Sequence, residues 1–280
     1  MNSLEINKIY NEDCLETMKK MPNDFVDLVL TSPPFNISTA NNESDRTKSA
    51  REKGFYHSKY GGLFNETYSE NEYLEFQTKV INELLRTSKI IFYEIQLMKD
   101  NRFAIYNLIY KFKDYLKEII SMSKDITQPM SAKGVLARQS KLILVFDKYN
   151  SKSMQYEINN FNHLTNHWNI EANRKHFNYS KEITKIHNAT FSEKFASIVI
   201  ENFSNKNALI YDCFSGTGTT SVAAKRLKRN FIGSEIVKEF YDISNKRINN
   251  LQGLLIWMTK LRVFSMFKGS EYEKRRIWNL

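Results

Sequence analysis

The amino-acid sequence predicts an α/β protein whose mostly parallel sheet is covered by helices on both faces. Short apolar stretches typical of buried strands alternate along the chain with amphipathic helical stretches. Residues 207–235 also contain a complete strand–helix–strand unit of the kind that joins parallel strands. With 280 residues and 41% hydrophobic content, the chain can bury a substantial core, and we expect residues 1–280 to form a single domain.

The N-terminal region predicts two strands and a helix. We expect a strand at Glu5–Asn11 and a helix at Asp13–Met21, where Asp13-x-x-Glu16 resembles a capping box. The second strand, Phe25–Leu30, is largely apolar and should therefore be buried. It runs directly into the hexapeptide Thr31-Ser32-Pro33-Pro34-Phe35-Asn36.

This hexapeptide is stiff and rich in hydrogen-bond acceptors. The two prolines keep Ser32 and Pro33 extended, and neither proline has an N–H to donate. The Ser32 hydroxyl and the local carbonyl groups can accept hydrogens from an exocyclic amino group, and the ring of Phe35 can stack on a planar base. The pattern indicates a nucleobase pocket, although a rigid exit from a strand would also explain the prolines.

The sequence of residues 37–68 predicts a mobile loop that faces DNA. The segment is polar, has no apolar periodicity and is long for an irregular connection, which is typical of functional or disordered loops. Its mixture of cations and aromatic residues suits phosphate contacts and base stacking; the alternative is a solvated insertion. The cations expected to bind DNA here are Arg46, Lys48, Arg51 and Lys53.

The middle of the chain predicts further buried strands separated by helices. Ser69-x-x-Glu72 is typical of a helix start, and a second helical stretch is expected at Asn101–Phe112. Thr190-x-x-Glu193 similarly resembles a capping box for a helix that runs to Phe203. The expected strands are Lys89–Ile95, Leu116–Met122 and Lys141–Phe146.

Residues 150–189 lose apolar periodicity and collect basic residues and histidines beside Trp168. The histidines are too loosely spaced for a metal-ligand pattern, so we expect no metal site. Cations beside aromatic residues in an irregular segment favour DNA contact, which we expect from Arg174 and Lys175.

Residues 207–235 predict a binding site for a nucleoside-bearing cofactor. An apolar strand ends at Asp212, a turn containing Gly216 and Gly218 leads into a helix, and a second strand ends at Glu235. The glycines allow a close backbone approach to a ligand at the helix N-terminus, and an acid about 20 residues on can accept both ribose hydroxyls. A plain βαβ turn is the alternative, since the glycine pattern is incomplete for a dinucleotide fingerprint.

Composition and charge narrow the class of protein. Lys and Arg number 41 against 31 Asp and Glu, so the net charge of +10 favours a polyanionic partner such as nucleic acid. The two cysteines, Cys14 and Cys213, are far apart in sequence, which indicates a reducing cytoplasm rather than a disulfide framework. We expect no membrane span. After a helix at Val237–Leu251, residues 252–280 form a basic, aromatic tail whose role the sequence leaves open.

Two motifs together carry a resemblance to a known family. Ser32-Pro33-Pro34-Phe35 after a strand, with Phe214-Ser215-Gly216-Thr217-Gly218-Thr219-Thr220 far downstream, resembles the amino-directed DNA methyltransferases that use S-adenosylmethionine. The order of the motifs, catalytic first and cofactor last, is similar to the permuted β group, and recognisable segments cover most of residues 5–250. The resemblance implies a Rossmann-like methyltransferase fold, flipping of a base from double-stranded DNA, and a restriction-modification setting with a possible cognate endonuclease and a possible homodimer.

The resemblance also implies roles for individual residues. It places catalysis at Ser32, Pro33, Pro34 and Phe35, and target recognition in residues 150–189, a task that residues 37–68 share. The residues that it places around the cofactor are Asp13, Cys14, Thr31, Thr190, Phe191, Asp212, Phe214, Ser215, Gly216, Thr217, Gly218, Thr219, Glu235 and Ile236.

The methylated atom is expected to be N4 of cytosine. The reason is that Ser32 occupies the position where adenine-directed members of the family usually carry Asp or Asn. N6 of adenine is the alternative target. A non-catalytic DNA-binding module with a methyltransferase fold is a rival of another class, which the intact motifs disfavour. Methylation of RNA or protein is a third possibility.

Overall fold

The computed structural model describes residues 4–36, 68–123, 140–153, 155–156, 165–169 and 192–251. Strands and helices alternate along most of these residues, as expected from the sequence. The strands are β1 (Lys8–Tyr10), β2 (Val26–Thr31), β3 (Ser88–Ile95), β4 (Leu116–Ser123), β5 (Ser140–Asp147), β6 (His167–Asn169), β7 (Leu209–Asp212) and β8 (Asn230–Ser234). The helices are α1 (Cys14–Lys19), α2 (Glu70–Thr87), α3 (Arg102–Lys111), α4 (Glu193–Phe203), α5 (Thr219–Arg226) and α6 (238–251).

All the strands belong to one sheet, in the order β1-β8-β7-β2-β3-β5-β4-β6. β5 is antiparallel to both of its neighbours, and the other described pairs are parallel. The sheet is therefore mostly parallel, as predicted. β2 and β7 are adjacent at its centre, with Leu28 beside Ile210, although the two strands are far apart in the sequence.

Helices cover both faces of the sheet because its central strands are apolar on both sides. Successive side chains of a strand point to opposite faces, so in β2 Val29 packs against α1, α2 and α3, whereas Leu28 and Leu30 face α4, α5 and α6. Each face therefore has its own buried cluster, and the predicted doubly covered architecture is confirmed. None of the helices within the described residues is long and apolar enough to cross a membrane.

Helix starts follow the capping signals, with two corrections. Ser69 and Glu72 form the predicted capping box of α2. Asp13 is the N-cap of α1, but its carboxylate accepts from the N–H of Leu15 and Glu16 pairs with Lys19, so the predicted capping box is not formed there. The predicted capping box for α4 is wrong: the N-cap is Ser192, whose hydroxyl accepts from the N–H of Phe195. Both Ser192 and Thr190 are good N-cap types, and spacing to an acid alone does not distinguish them.

One strand lies where the sequence indicated irregular structure. β6 comes from the segment 150–189 and pairs in parallel with β4. Its central residue, Trp168, is 6% exposed, and its indole N–H donates to the carbonyl of Thr165. A three-residue strand is too short to produce a recognisable alternation, so this sheet edge could not be read from periodicity. The remaining residues 154, 157–164 and 170–189 of the segment, with residues 37–67 and 252–280, lie outside the described residues.

Candidate functional site

The two sequence motifs meet at one edge of the sheet. β2, β7 and β8 are parallel neighbours, so their carboxyl ends lie side by side. Thr31 ends β2 and leads into the Ser32–Phe35 motif, while Asp212 ends β7 and leads into the glycine turn. Ligands of open α/β sheets bind outside the carboxyl ends of the strands. This edge is therefore the candidate site.

Asp212 joins the two motifs directly. Its carboxylate accepts from the hydroxyl of Thr31 at 2.8 Å and from the hydroxyl of Thr220, in the first turn of α5, at 2.6 Å. The N–H of Phe214 also donates to it, at 3.1 Å. Asp212 is 1% exposed, and this burial raises its pKa to about 6 in spite of the three donors. The start of the Ser32–Phe35 motif is thus held to the start of the glycine turn.

The turn after Asp212 requires its glycines. Gly216 and Gly218 have φ of 52° and 80°, as predicted, and Gly218 is the N-cap of α5. A Cβ on Gly218 would lie 2.8 Å from the Cβ of Ser244, so any larger residue would meet α6 as well as backbone strain. The hydroxyl of Ser215 is buried at this turn, and no described residue hydrogen-bonds to it.

Glu235 closes the turn from the end of β8. One carboxylate oxygen accepts from the N–H of Gly216 at 2.7 Å, and the other accepts from the N–H of Val237 at 2.8 Å. Glu235 is 8% exposed, and burial is the main cause that raises its pKa to about 7. Each carboxylate oxygen has a second lone pair, so both can still accept from further donors.

Arg247 of α6 holds the middle of the same turn, which the sequence analysis did not anticipate. Its guanidinium donates to the carbonyl of Thr217 and to the Thr217 hydroxyl at 3.1 Å. It also forms an ion pair with Glu193 at 2.7 Å. Glu193 in turn pairs with Arg226 of α5 at 2.5 Å. Many helices of this chain carry charged residues, and the sequence does not indicate which of them form ion pairs. The Arg247–Glu193–Arg226 network is therefore seen only in the structure.

The Ser32–Phe35 loop is held from one side and leaves acceptors free on the other. The carbonyl of Pro34 accepts from the hydroxyl of Tyr73 at 2.7 Å, and that of Phe35 accepts from the side-chain amide of Asn101 at 2.7 Å. Within the described residues, no donor reaches the carbonyls of Ser32 and Pro33. Ser32 is half-buried, whereas both prolines are buried. The two carbonyls expected to accept from an amino group are thus the two that remain available.

Phe35 and Asn36 are more enclosed than the sequence suggested. The ring of Phe35 is 4% exposed and packs within the core cluster that includes Tyr73. Asn36 has φ of 54°, and its side chain bonds to both the N–H and the carbonyl of Tyr68. The loop therefore has a fixed shape that α2 and the start of α3 determine.

Comparison with known proteins identifies the family. Residues 26–246 match the family model described as DNA methylase. The type II methyltransferase M1.MboII of Moraxella bovis is 25% identical over 89% of this chain and 99% of its own length. M.HindIII of Haemophilus influenzae is 27% identical over 87% of this chain and 95% of its own length.

This chain belongs to the DNA methylase family.

Solved structures agree with this family at the level of the fold. The structure of the PvuII DNA methyltransferase (cytosine-N4-specific) superposes with a TM-score of 0.66 at 18% identity, covering 88% of this methylase and 87% of that chain. The M1.HpyAVI–SAM complex gives a TM-score of 0.55 at 20% identity, covering 86% and 98%. The predicted family and the predicted Rossmann-like fold are therefore confirmed.

The methylase structure brings most of the predicted cofactor residues to this edge. Asp13 and Cys14 begin α1 next to β1, and Cys213 adjoins Cys14 beneath Thr31. Ile236 is 54% exposed just after Glu235. Two predicted cofactor residues, Thr190 and Phe191, lie outside the described residues, as do the DNA-binding candidates Arg46, Lys48, Arg51, Lys53, Arg174 and Lys175.

Stability of the methylase should fall as the pH rises from about 4 to about 7. The folded pKa values of Asp212 and Glu235, about 6 and about 7, lie above the ordinary values of 3.8 and 4.5 for these carboxyl groups, so the folded state retains protons that the unfolded chain has released. Each group can lower the free energy of unfolding by up to about 3 kcal/mol over this range. Urea denaturation without cofactor at several pH values measures the effect.

A Glu235→Gln variant is the control for this pH dependence. The amide does not titrate, so the part of the slope nearest pH 7 should disappear, while the part due to Asp212 stays. An unchanged slope in this variant would mean that Glu235 is ionised in the folded protein at pH 5.

Proposed function

We propose that this protein transfers a methyl group from S-adenosylmethionine to N4 of cytosine in double-stranded DNA. One observation carries the proposal: the hydrogen bond between Thr31 and Asp212 joins the Ser32–Phe35 loop to the glycine turn. A group held at the turn and a base held at the loop are thereby brought to the same edge of the sheet. Such proximity is the main contribution that a protein can make to a direct displacement.

The cofactor is S-adenosylmethionine, which two similar solved structures contain according to their descriptions. It supplies an electrophilic methyl group when bound. The residues at the turn fit it: the Glu235 carboxylate can accept from ribose hydroxyls, and the buried Ser215 hydroxyl has no described partner. The proposed site would be completed by Asp13, Cys14, Thr31, Thr190, Phe191, Asp212, Phe214, Gly216, Thr217, Gly218, Thr219 and Ile236.

The chain's catalytic groups act on an amino nitrogen that is a poor nucleophile. Its lone pair is delocalised into the ring of the base. Acceptors that bind its two hydrogens favour the orientation of the amino group in which the lone pair can attack the methyl group. The Ser32 hydroxyl and the carbonyls of Ser32 and Pro33 are such acceptors, preorganised by the prolines and by the bond from Tyr73 to Pro34. A base inside a duplex cannot reach them, so the base must be flipped.

Ser32 supports cytosine over adenine as the target. Its hydroxyl is smaller than the carboxylate or amide usual in adenine-directed members of the family, and the PvuII enzyme with a similar fold is described as cytosine-N4-specific. N6 of adenine is the alternative within the same chemistry. A non-catalytic module would not need the free carbonyls, the two glycines with positive φ and the buried Glu235 together.

The product distinguishes these possibilities. DNA from a host that expresses the protein is digested to nucleosides and separated by mass spectrometry, and long-read sequencing gives the recognition motif. N4-methylcytosine supports the proposal in full. N6-methyladenine would refute the base assignment but keep the enzyme class, and the absence of both, with S-adenosylmethionine bound in calorimetry, would refute DNA amino-methylation.

DNA binding should weaken steeply with salt. We propose that residues 37–68 and 150–189 contact the duplex, with Arg46, Lys48, Arg51 and Lys53 in the first segment and Arg174 and Lys175 in the second; residues 252–280 are a third candidate. Each phosphate contact adds about 0.9 to the slope of log affinity against log salt. Neutralising either cluster should therefore lower the slope, and a slope that is unchanged in both variants would assign these charges to solubility.

We further propose a cytoplasmic protein in a restriction-modification system, with a possible homodimer and a possible cognate restriction endonuclease. The type II methyltransferases that it resembles support this setting by their description. Sedimentation of the purified protein tests the dimer.

A further inference from the structure

A buried ion pair lies beside the catalytic loop. Glu94 is the penultimate residue of β3, and Lys141 is the second residue of the antiparallel strand β5. Glu94 is opposite Ile143, so Lys141 is its diagonal neighbour on the same face of the sheet. The Lys141 ammonium is 2.8 Å from one carboxylate oxygen of Glu94. Because β3 is parallel to β2, this pair lies at the same edge of the sheet as the candidate site.

The burial of this pair is unfavourable for stability. Glu94 is 0% exposed and Lys141 is 5% exposed, and removing a charge from water costs several kcal/mol per ion, which the attraction between the ions only partly offsets. In addition, the second carboxylate oxygen of Glu94, Oε2, is buried, and no described residue donates to it. A buried acceptor without a donor costs about 1–3 kcal/mol more. Packing therefore does not explain why these two residues are charged.

Lys141 of this pair lies beside Phe35 of the proposed base pocket. The Lys141 nitrogen is 5.3 Å from the centroid of the Phe35 ring, close enough for a cation–π interaction. Glu94 is also near the junction of the two motifs: its charge adds to the effect of burial in raising the pKa of Asp212. The ammonium of Lys141 thus lies next to the catalytic loop, and the acceptor of Glu94 that the described residues leave unpaired belongs to the residue that this ammonium binds.

We propose that Glu94 and Lys141 read the hydrogen-bonding edge of the flipped base. Oε2 of Glu94 accepts one hydrogen of the amino group, the Ser32–Pro33 acceptors take the other, and Lys141 donates to the neighbouring ring nitrogen while holding Phe35 in place. This inference rests on the proposed function and goes beyond it by naming two specificity-determining residues on β3 and β5. The donor set is suitable: an ammonium has three hydrogens, and the described contacts use one of them on Glu94.

The chemistry of the pair matches an amino-bearing base. Cytosine presents an amino group beside the acceptor N3, and adenine presents an amino group beside the acceptor N1. A carboxylate next to an ammonium offers the complementary acceptor and donor. Thymine, which has no amino group and carries an N–H on its ring, matches this arrangement poorly, so the pair would reject it. The pair is neutral as a whole and adds no net charge to the pocket.

The test compares how tightly the protein binds a duplex that contains the target base and a duplex that lacks it. Two duplexes carry the recognition motif, one with the target base in a mismatch and one with an abasic residue instead, and both open easily. Glu94→Gln should weaken binding of the mismatched duplex by about tenfold, the cost of one charged hydrogen bond. It should leave binding of the abasic duplex and of S-adenosylmethionine unchanged. Equal loss on both duplexes would overturn the inference, because a merely structural role affects both.

A double variant separates function from folding. Glu94→Leu with Lys141→Met replaces the pair by apolar residues of similar size, which is often neutral or stabilising for buried ion pairs. We expect unchanged or higher resistance to urea, together with at least tenfold slower single-turnover methylation, on the scale of other oriented polar groups. A stable double variant with the wild-type rate would refute the proposal.

The chain offers a matched control at the opposite end of the same strand. Lys117 is buried and pairs with Asp147 at 3.2 Å, where β5 ends away from the catalytic loop. Lys117→Met with Asp147→Asn removes this pair and should leave base capture as in the wild type. If the wild type itself methylates no DNA, the proposed function fails; if it methylates DNA and the Glu94 variants behave like the control, only the present inference fails.

Discussion

Replacing Ser32 by Ala should lower the single-turnover rate of methyl transfer about 10–1000-fold, on the scale of other oriented polar groups that act in a transition state. Ser32 is half-buried directly after β2, and the contribution of its hydroxyl is realised mainly as the amino nitrogen turns toward the methyl group. Affinity for S-adenosylmethionine should not change. Rapid-quench measurement with excess enzyme gives the rate directly.

Two further variants control the Ser32 experiment. Ser32→Thr keeps the hydroxyl in an extended conformation that suits β-branched residues, so it should retain more of the rate than Ser32→Ala.

Phe35 is tested with Leu rather than Ala. Because Phe35 is only 4% exposed, Phe35→Ala would leave a destabilising cavity, which Phe35→Leu largely fills. It should lose about 1–3 kcal/mol of base stacking. A Ser32→Ala enzyme with the wild-type rate would remove this loop from the chemistry.

Replacing Glu235 by Ala should weaken binding of S-adenosylmethionine by about 1–3 kcal/mol, or roughly 5–150-fold. The variant loses the proposed ribose acceptor and also frees the N–H groups of Gly216 and Val237, which the carboxylate now holds. Isothermal titration calorimetry measures the affinity, and circular dichroism checks that the variant is folded. Glu239→Ala, an exposed acid on α6, is the matched control and should bind as the wild type does.

Unchanged affinity in a folded Glu235→Ala variant would mean that the glycine unit is not the cofactor site. The two variants should show different losses. Glu235→Ala should weaken binding of the cofactor, whereas Ser32→Ala should lower the rate of methyl transfer after binding. The two variants together therefore test the two halves of the site separately.

The parts of the fold that sequence reasoning could predict are those with strong local causes. β2 and β7 are short apolar runs that end in polar residues, and the turn after Asp212 contains glycines whose positive φ values other residues adopt with strain. Ser69 and Glu72 form their capping box within four residues of chain. In each case the interacting groups are close in sequence, so the pattern and the structure are directly linked.

The parts that could not be predicted depend on contacts between distant segments. Arg247 looks like any basic residue of an exposed helix, but it binds Thr217 in the glycine turn. Glu94 and Lys141 did leave a signal, since each is a charge within an apolar strand, and such charges need a partner when buried. That partner is 47 residues away, and the sequence alone does not identify it.

The adjacency of β2 and β7 has a consequence for how the protein folds. The hydrogen bond between Thr31 and Asp212 spans 181 residues, and both strands are central in the sheet. Contacts of such long range form slowly, because a large loop must close before they contribute. During synthesis, the edge of β2 that receives β7 stays open until residues beyond 212 have left the ribosome. Assembly of the sheet centre is therefore a late event, and this interval is when the nascent chain is most exposed to aggregation.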